Sequence, residues 1–168
     1  MISAIIEDMI AYNKGDARRI HHALKVYAFA RTIAELEKID SKTREVLEIA
    51  AVLHDIGIHN SEKKYGSCSG RYQEMEGPPV ARTILEKYGL SQETVERVCF
   101  LIGHHHTYRN VEGEDYQILL ESDFLVNCYE DQMIFEQVDA IRRNVFRTPT
   151  GLRFLEAMAP PEMDEDAD

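Results

Sequence analysis

The feature that most constrains the fold is an apolar segment that starts after Asp40-Ser41 and ends at His54-Asp55. Residues 46–53, V-L-E-I-A-A-V-L, leave almost no polar face, whereas a helix at a protein surface keeps one. Asp40 or Ser41 is suited to cap the helix, and Gly57 lies where it would end. The sequence therefore predicts a central, buried helix that carries an imidazole and a carboxylate at its carboxyl end.

Helical periodicity recurs in the rest of the chain, and the segments are separated by capping and turn residues. Sustained period-two alternation, which is typical of strands, is absent from the sequence. We therefore predict an all-α helical bundle with little or no strand. Besides the buried helix, the predicted helices are residues 1–13, a helix capped by Asp16, 78–88, one capped by Ser91 that runs to Leu101 or Ile102, 116–130, 130–146 and 150–158.

Residues 56–76 are rich in glycine, serine and charged side chains, and they predict a long irregular connection. Pro78 and Pro79 after it fit the first turn of the next helix, where a missing N–H has no cost. Long connections in compact domains are often functional, so this one is a candidate part of a site.

Length and charge limit the classes of protein that the chain can represent. A chain of 168 residues predicts one domain, which we place at residues 1–159, and the acidic tail 160–168 is expected to be disordered. The net charge of −11 argues against binding to an extended nucleic acid or an anionic membrane. A small anionic substrate then requires a local concentration of cations, which points to a metal.

Cysteine usage and the amino terminus predict a cytoplasmic protein. The three cysteines, Cys68, Cys99 and Cys128, are far apart and form no Cys-x-x-Cys metal motif, which fits a reducing compartment. The segment MISAIIEDMI has acidic residues where a signal peptide needs basic ones.

All seven histidines fall into three clusters, at residues 21–22, 54–59 and 104–106. One histidine on an apolar helix is more often a core residue than a ligand. His22, His54-Asp55 and Asp123, however, each interrupt apolar surroundings on different predicted helices, and burial of each needs a partner. A shared cation would serve all of them, and ordinary buried His–Asp hydrogen bonds are the alternative.

The order His22, His54-Asp55, Asp123 resembles the metal-binding signature of the HD superfamily of metal-dependent phosphohydrolases. The segments H-A-L-K-V-Y-A-F-A, L-H-D-I-G and L-L-E-S-D-F-L carry the resemblance, which covers about residues 18–128. The resemblance implies a compact helical domain that binds a divalent metal through these four residues. His22 is favoured over His21 because it matches the offsets to Lys25, Val26 and Ala30.

The resemblance also leaves a second metal open, because some members of the superfamily hold one with a late histidine pair. His104 and His105 are the candidates, with phosphate-binding or surface histidines as the alternative, and His106 is expected at the loop surface. Where such members have a further histidine, this chain has Glu74 and Glu76. Glu76 is a candidate for a water bridge or for proton transfer.

The resemblance implies a metal-dependent phosphohydrolase that hydrolyses a small phosphate ester, a nucleotide or related metabolite, with metal-activated water. The candidate catalytic residues are Asp55, Glu76 and His104. Lys63, Lys64 and Arg71 are the candidates for substrate contacts; the alternative is that they are solvated surface charges. The donor set does not choose among manganese, iron, magnesium, cobalt, nickel and zinc.

Two other functions remain open from the sequence. One is a di-iron oxygenase of the same fold, and the other is a non-catalytic module that binds a metal or nucleotide in signalling. The expected partner is a small phosphorylated substrate, with neither nucleic acid nor membrane, and a homo-oligomer is left open.

Overall fold

The computed structural model describes residues 1–160 of the chain. Within that range the protein is helical and contains no strand, which confirms the predicted all-α class. The predicted tail 160–168 lies outside the described residues apart from Pro160. The helices are α1 (Ile2–Tyr12), α2 (Ala17–Leu36), α3 (Ser41–Leu53), α4 (Ile58–Tyr65), α5 (Gly70–Leu85), α6 (Gln92–Ile102), α7 (Glu114–Glu130), α8 (Phe135–Asn144) and α9 (Pro149–Met158).

Helix α3 lies at the centre of the molecule and contacts α1, α2, α6 and α7. Its residues from Ile49 to Leu53 are all buried, in agreement with the apolar pattern. The Asp40 side chain accepts hydrogen bonds from the N–H groups of Lys42 and Thr43 and so caps the helix. His54 and Asp55 follow directly after α3, at the centre of the bundle.

The predicted helix ends are largely confirmed where capping residues mark them. The Asp16 side chain caps α2, and the Ser91 side chain caps α6. Gly89 takes a left-handed conformation (φ 64°) at the end of the short 3₁₀ turn after α5. Helix α7 ends at Glu130, as predicted, whereas the helix predicted over 130–146 is shorter in the structure, where α8 begins at Phe135 and ends at Asn144.

The prediction of an irregular connection over residues 56–76 is wrong. The structure has α4 there, and α5 begins at Gly70, eight residues before the proline pair that was expected to start it. Helix α4 escapes detection because only Ile58 and Ser61 on it are buried, so it lacks an apolar stripe. Pro78 and Pro79 lie inside α5, which packs closely against α4 and α6; this packing offsets the backbone hydrogen bonds that the prolines cannot donate.

Two buried glycines bring α5 against the end of α3. A Cβ on Gly57 would lie 2.5 Å from the backbone N of Gly77, and a Cβ on Gly77 would lie 2.6 Å from Cγ2 of Ile102. At Gly57 there is no room for a Cβ beside the backbone of α5, and at Gly77 the side chain of Ile102 on α6 occupies the place of a Cβ, so glycine at both positions permits the approach. The contact places α5 alongside the His54-Asp55 turn.

None of the helices in the described part of the chain combines the length and the apolar character that crossing a membrane would require.

Candidate metal centre

His22, His54 and Asp123 meet at the centre of the bundle and form what we call the first donor group. His22 comes from α2, His54 from the end of α3 and Asp123 from α7, and all three side chains are buried. The Nε2 atom of His22 lies 3.2 Å from Nε2 of His54 and 3.1 Å from Oδ1 of Asp123. Three residues that are far apart in the sequence thus present their donor atoms to one point.

The hydrogen bonds on the far sides of the two rings determine which nitrogens face that point. Nδ1 of His54 donates to the carbonyl oxygen of Ala51 (2.9 Å), and Nδ1 of His22 donates to Oε2 of Glu130 (3.0 Å). In the neutral rings both Nε2 atoms therefore carry lone pairs, directed towards each other and towards a carboxylate. Such a convergence of electron-rich atoms requires a positive charge between them, so the first donor group fits a divalent cation.

Asp55 lies between the first donor group and a second one. Its Oδ2 atom is 3.6 Å from Nε2 of both His22 and His54, and its Oδ1 atom is 3.4 Å from Nε2 of His105. Asp55, His105 and His106 form the second donor group. One carboxylate thus faces both groups, as a ligand shared by two cations would.

His105 provides an independent sign that the second donor group fits a cation. Its side chain is fully buried, and its Nδ1 donates to the carbonyl oxygen of Ile102 (2.7 Å). Among the buried side-chain nitrogen and oxygen atoms of residues 1–160, Nε2 of His105 alone has no hydrogen-bond partner. A buried lone pair without a partner is costly, and a cation beside Asp55 would satisfy it.

His106 was expected at the loop surface, and the structure places it in the second donor group instead. Its Nε2 lies 3.2 Å from Oε1 of Gln73, and a Cβ on Gly70 would lie 2.6 Å from its ring. Burial, together with the neighbouring His105, lowers the pKa of His106 to about 4. The ring is therefore neutral near neutral pH, which is the state that binds metals.

In the cation-free protein, the protonation state of each residue in the first donor group depends on the charges of its neighbours. Burial disfavours the charged form of His54, but Asp55 and Asp123 outweigh burial and raise the pKa of this imidazole to about 9. Burial opposes ionisation of Asp123 as well, yet hydrogen bonds with His22 and His54 hold the pKa of its carboxyl well below the usual range. Without a metal, a proton on His54 supplies the positive charge that the group requires.

Metal affinity should therefore depend on pH. With the pKa of His54 at about 9, an incoming cation must displace a proton at neutral pH. We expect the affinity for Mn²⁺ to rise about tenfold per pH unit for each displaced proton from roughly pH 7, and to level off above the pKa of His54. Calorimetric titration at several pH values measures this, and an affinity that does not change with pH would contradict it.

Other residues singled out from the sequence lie outside the two donor groups. His104 donates from Nδ1 to the carbonyl oxygen of Phe100 (2.7 Å) and stacks on the Phe100 ring. Glu76 is bound by Nζ of Lys64 at 2.5 Å and by the hydroxyl of Tyr65 at 3.0 Å. The hydrogen bond from Lys64 lowers the pKa of Glu76, which keeps this carboxylate ionised and opposes a role as proton donor. Lys63 and Arg71 are exposed, and so is His21.

Glu130 and Gln73 contact the donor groups, and the sequence analysis did not identify them. Glu130 had a detectable signal, because it follows Asp123 by seven positions on α7. Seven residues are close to two helical turns, so the two side chains share a face. Gln73 had no such signal in the sequence, because no helix was predicted at its position.

An all-helical bundle with histidine and aspartate donors brought together from α2, α3 and α7 defines a helical metal-site protein. The sequence profile of the HD domain family matches residues 19–140, and the chain belongs to this family. The fold is similar to a crystal structure from an uncultured Thermotogales bacterium, described as a predicted HD superfamily hydrolase. The TM-score is 0.63 at 24% identity, over 94% of this chain and 82% of that one. Comparison with curated proteins gives no match.

Proposed function

We propose that the protein is a metal-dependent hydrolase of the HD family that cleaves a small phosphate ester. The observation that carries the proposal is the convergence of His22, His54, Asp55 and Asp123, whose donor atoms face one another at the centre of the bundle. All four residues lie within the part of the chain that matches the HD domain family, residues 19–140. The proposed substrate is a nucleotide or a related phosphorylated metabolite.

The proposal divides the work between the cation and the protein. A divalent cation makes hydroxide available from water near neutral pH and offsets negative charge on a phosphoryl group. His22, His54 and Asp123 would hold the cation. Asp55 would complete this set and orient the attacking water, because one of its oxygens faces each donor group.

The negative charge of the protein is compatible with a phosphate ester as the substrate only if cations are bound at the site. The chain carries a net charge of −11, and Asp55 and Asp123 add negative charge at the site itself. A substrate anion would be repelled from these carboxylates in the absence of a metal. A second cation at Asp55, His105 and His106 would make the site still more attractive to an anion, and we include it in the proposal.

The predicted catalytic roles of Glu76 and His104 stay predictions, as do substrate contacts of Lys63, Lys64 and Arg71. Glu76 and Lys64 bind each other, so both would have to separate before either could reach a substrate. The reaction proposed above does not depend on any of these residues.

Removal of the metal tests the proposed function most directly. We expect dialysis against a strong chelator to abolish phosphate release from a panel of nucleotides and sugar phosphates, and one or more divalent metals to restore it. The reason is that the cation supplies several kcal/mol of transition-state stabilisation, which corresponds to a rate factor of about a thousand or more. Elemental analysis before and after dialysis gives the metal content, and undiminished turnover in protein shown to be metal-free would refute the proposal.

The second donor group also favours a second candidate function, an oxygenase that uses two irons. Asp55 faces both donor groups, as a ligand that links two metals would. Oxygen consumption by the iron-loaded protein, in the absence of phosphate release, would support this candidate. Phosphate release under anaerobic conditions would favour the hydrolase.

A further inference from the structure

Glu130 connects the metal centre to the end of α7. It is the last residue of that helix, and its side chain is 14% exposed. Its Oε2 atom accepts a hydrogen bond from Nδ1 of His22 at 3.0 Å, and its Oε1 atom accepts one from Nζ of Lys25. The carboxylate is therefore held from two sides by residues of α2.

His22 differs from the other buried histidines in how its ring is held. His54 and His105 donate from Nδ1 to the carbonyl oxygens of Ala51 and Ile102, three residues earlier in the chain. His22 donates from Nδ1 to a side chain of another helix instead. The orientation of this ring depends on the packing of α7 against α2, and on Glu130 in particular.

The hydrogen bond determines which ring nitrogen is available as a ligand. With Nδ1–H donated to Glu130, the lone pair of His22 lies on Nε2, which faces Asp123 and His54. A carboxylate partner also makes the imidazole a stronger ligand, and loss of such a partner typically weakens metal binding 10–100-fold. Lys25, three positions after His22 on α2, holds the carboxylate in place.

We propose that Glu130 is a positioning residue of the metal centre, which fixes the ring of His22, and that Lys25 anchors Glu130. This inference rests on the cation site of the proposed function. It adds a residue that does not itself reach the cation and acts through His22.

Mn²⁺ affinity, measured by calorimetric titration, tests the proposal without any need for a substrate. We expect Glu130→Ala to bind Mn²⁺ about 10–100-fold more weakly than the wild type. Glu130→Gln should stay within about threefold, because its amide oxygen still accepts the proton of Nδ1. Lys25→Met should lose less than Glu130→Ala, since it removes only the anchor. Asp131→Asn is the matched control, because it removes an exposed charge from the next residue, and it should bind like the wild type.

A spectroscopic readout separates positioning from a general effect on the fold. In protein with ¹⁵N-labelled histidine, at a pH high enough for the His22 ring to be neutral, the metal-free Glu130→Ala variant should lose the Nδ1–H form of His22 that the wild type shows, whereas Glu130→Gln should keep it. Circular dichroism establishes that the variants are folded. If Glu130→Ala does not fold, reduced Mn²⁺ affinity in folded Lys25→Met still supports the proposal.

Unchanged affinity and an unchanged tautomer in the folded variants would overturn the role of Glu130 and leave the proposed hydrolase intact. Weaker Mn²⁺ binding in Glu130→Ala supports that role even when no phosphate ester is hydrolysed. A wild-type protein that binds none of the divalent ions of manganese, iron, magnesium, cobalt, nickel and zinc would overturn both proposals.

Discussion

The Asp55→Ala variant should lose bound metal and release phosphate at least about a thousandfold more slowly than the wild type. Asp55 is the carboxylate that faces both donor groups, at 3.6 Å from Nε2 of His22 and 3.4 Å from Nε2 of His105. Without it the first donor group retains one carboxylate for a divalent cation, and the second retains none. Elemental analysis and a phosphate-release assay measure the two losses separately.

Companion variants show whether the loss is specific to the donor groups. Asp123→Ala should lower metal content in the same way, because this carboxylate contacts both His22 and His54. Asp131→Asn removes an exposed carboxylate close by and should keep full metal content and turnover. A folded Asp55→Ala protein with wild-type metal content and turnover would rule out Asp55 as a ligand and with it the mechanism proposed above.

The largest effect on stability should come from Glu121→Ala. Glu121 is fully buried two residues before Asp123, and its carboxylate binds the segment that leads into α9. Its Oε1 atom accepts hydrogen bonds from the backbone N–H groups of Arg147 (2.6 Å) and Thr148 (2.9 Å), and its Oε2 atom accepts one from the Thr148 hydroxyl. Removal of the carboxylate leaves these three partly buried donors without this acceptor.

We expect Glu121→Ala to lower the free energy of unfolding by about 3 kcal/mol, since an unsatisfied donor costs about 1–3 kcal/mol when fully buried and three partly buried donors lose their acceptor here. For a chain of this size the melting temperature should fall by about 6–12 °C. Thermal and urea unfolding followed by circular dichroism measure the change. Glu156→Ala removes an exposed carboxylate from α9 and should change stability by no more than about 0.5 kcal/mol. A Glu121→Ala protein as stable as this control would show that the buried contacts contribute nothing.

Glu121 and Asp123 show how much of the site can be predicted from sequence. Both lie in the motif L-L-E-S-D-F-L, and pattern alone identifies the segment as a buried helix that carries acids. The resemblance to the HD superfamily selects Asp123 as the ligand. Nothing local indicates that Glu121 instead faces the start of α9, because its donors lie 26 and 27 residues further along the chain.

The histidine triplet at residues 104–106 also shows what the sequence cannot predict, which is the direction of each side chain. The resemblance leaves a second metal site open at this segment, and its candidates are His104 and His105. The structure brings His105 and His106 to Asp55, while His104 stacks on Phe100. Three consecutive residues in a turn point in different directions, and which of them face the centre depends on the packing of Gly70 and Gln73 against that turn.

By itself, the sequence determined the helical class, the capped boundaries of α2, α3 and α6, and the order His22, His54-Asp55, Asp123. These features are local or follow a helical period, so neighbouring residues along the chain suffice to reveal them. Only the tertiary structure decided that α4 and the proline-containing α5 are helices, that His106 accompanies His105, and that Glu130 holds His22. Each of these depends on contacts between segments far apart in the chain, whose burial and hydrogen bonds outweigh local preference.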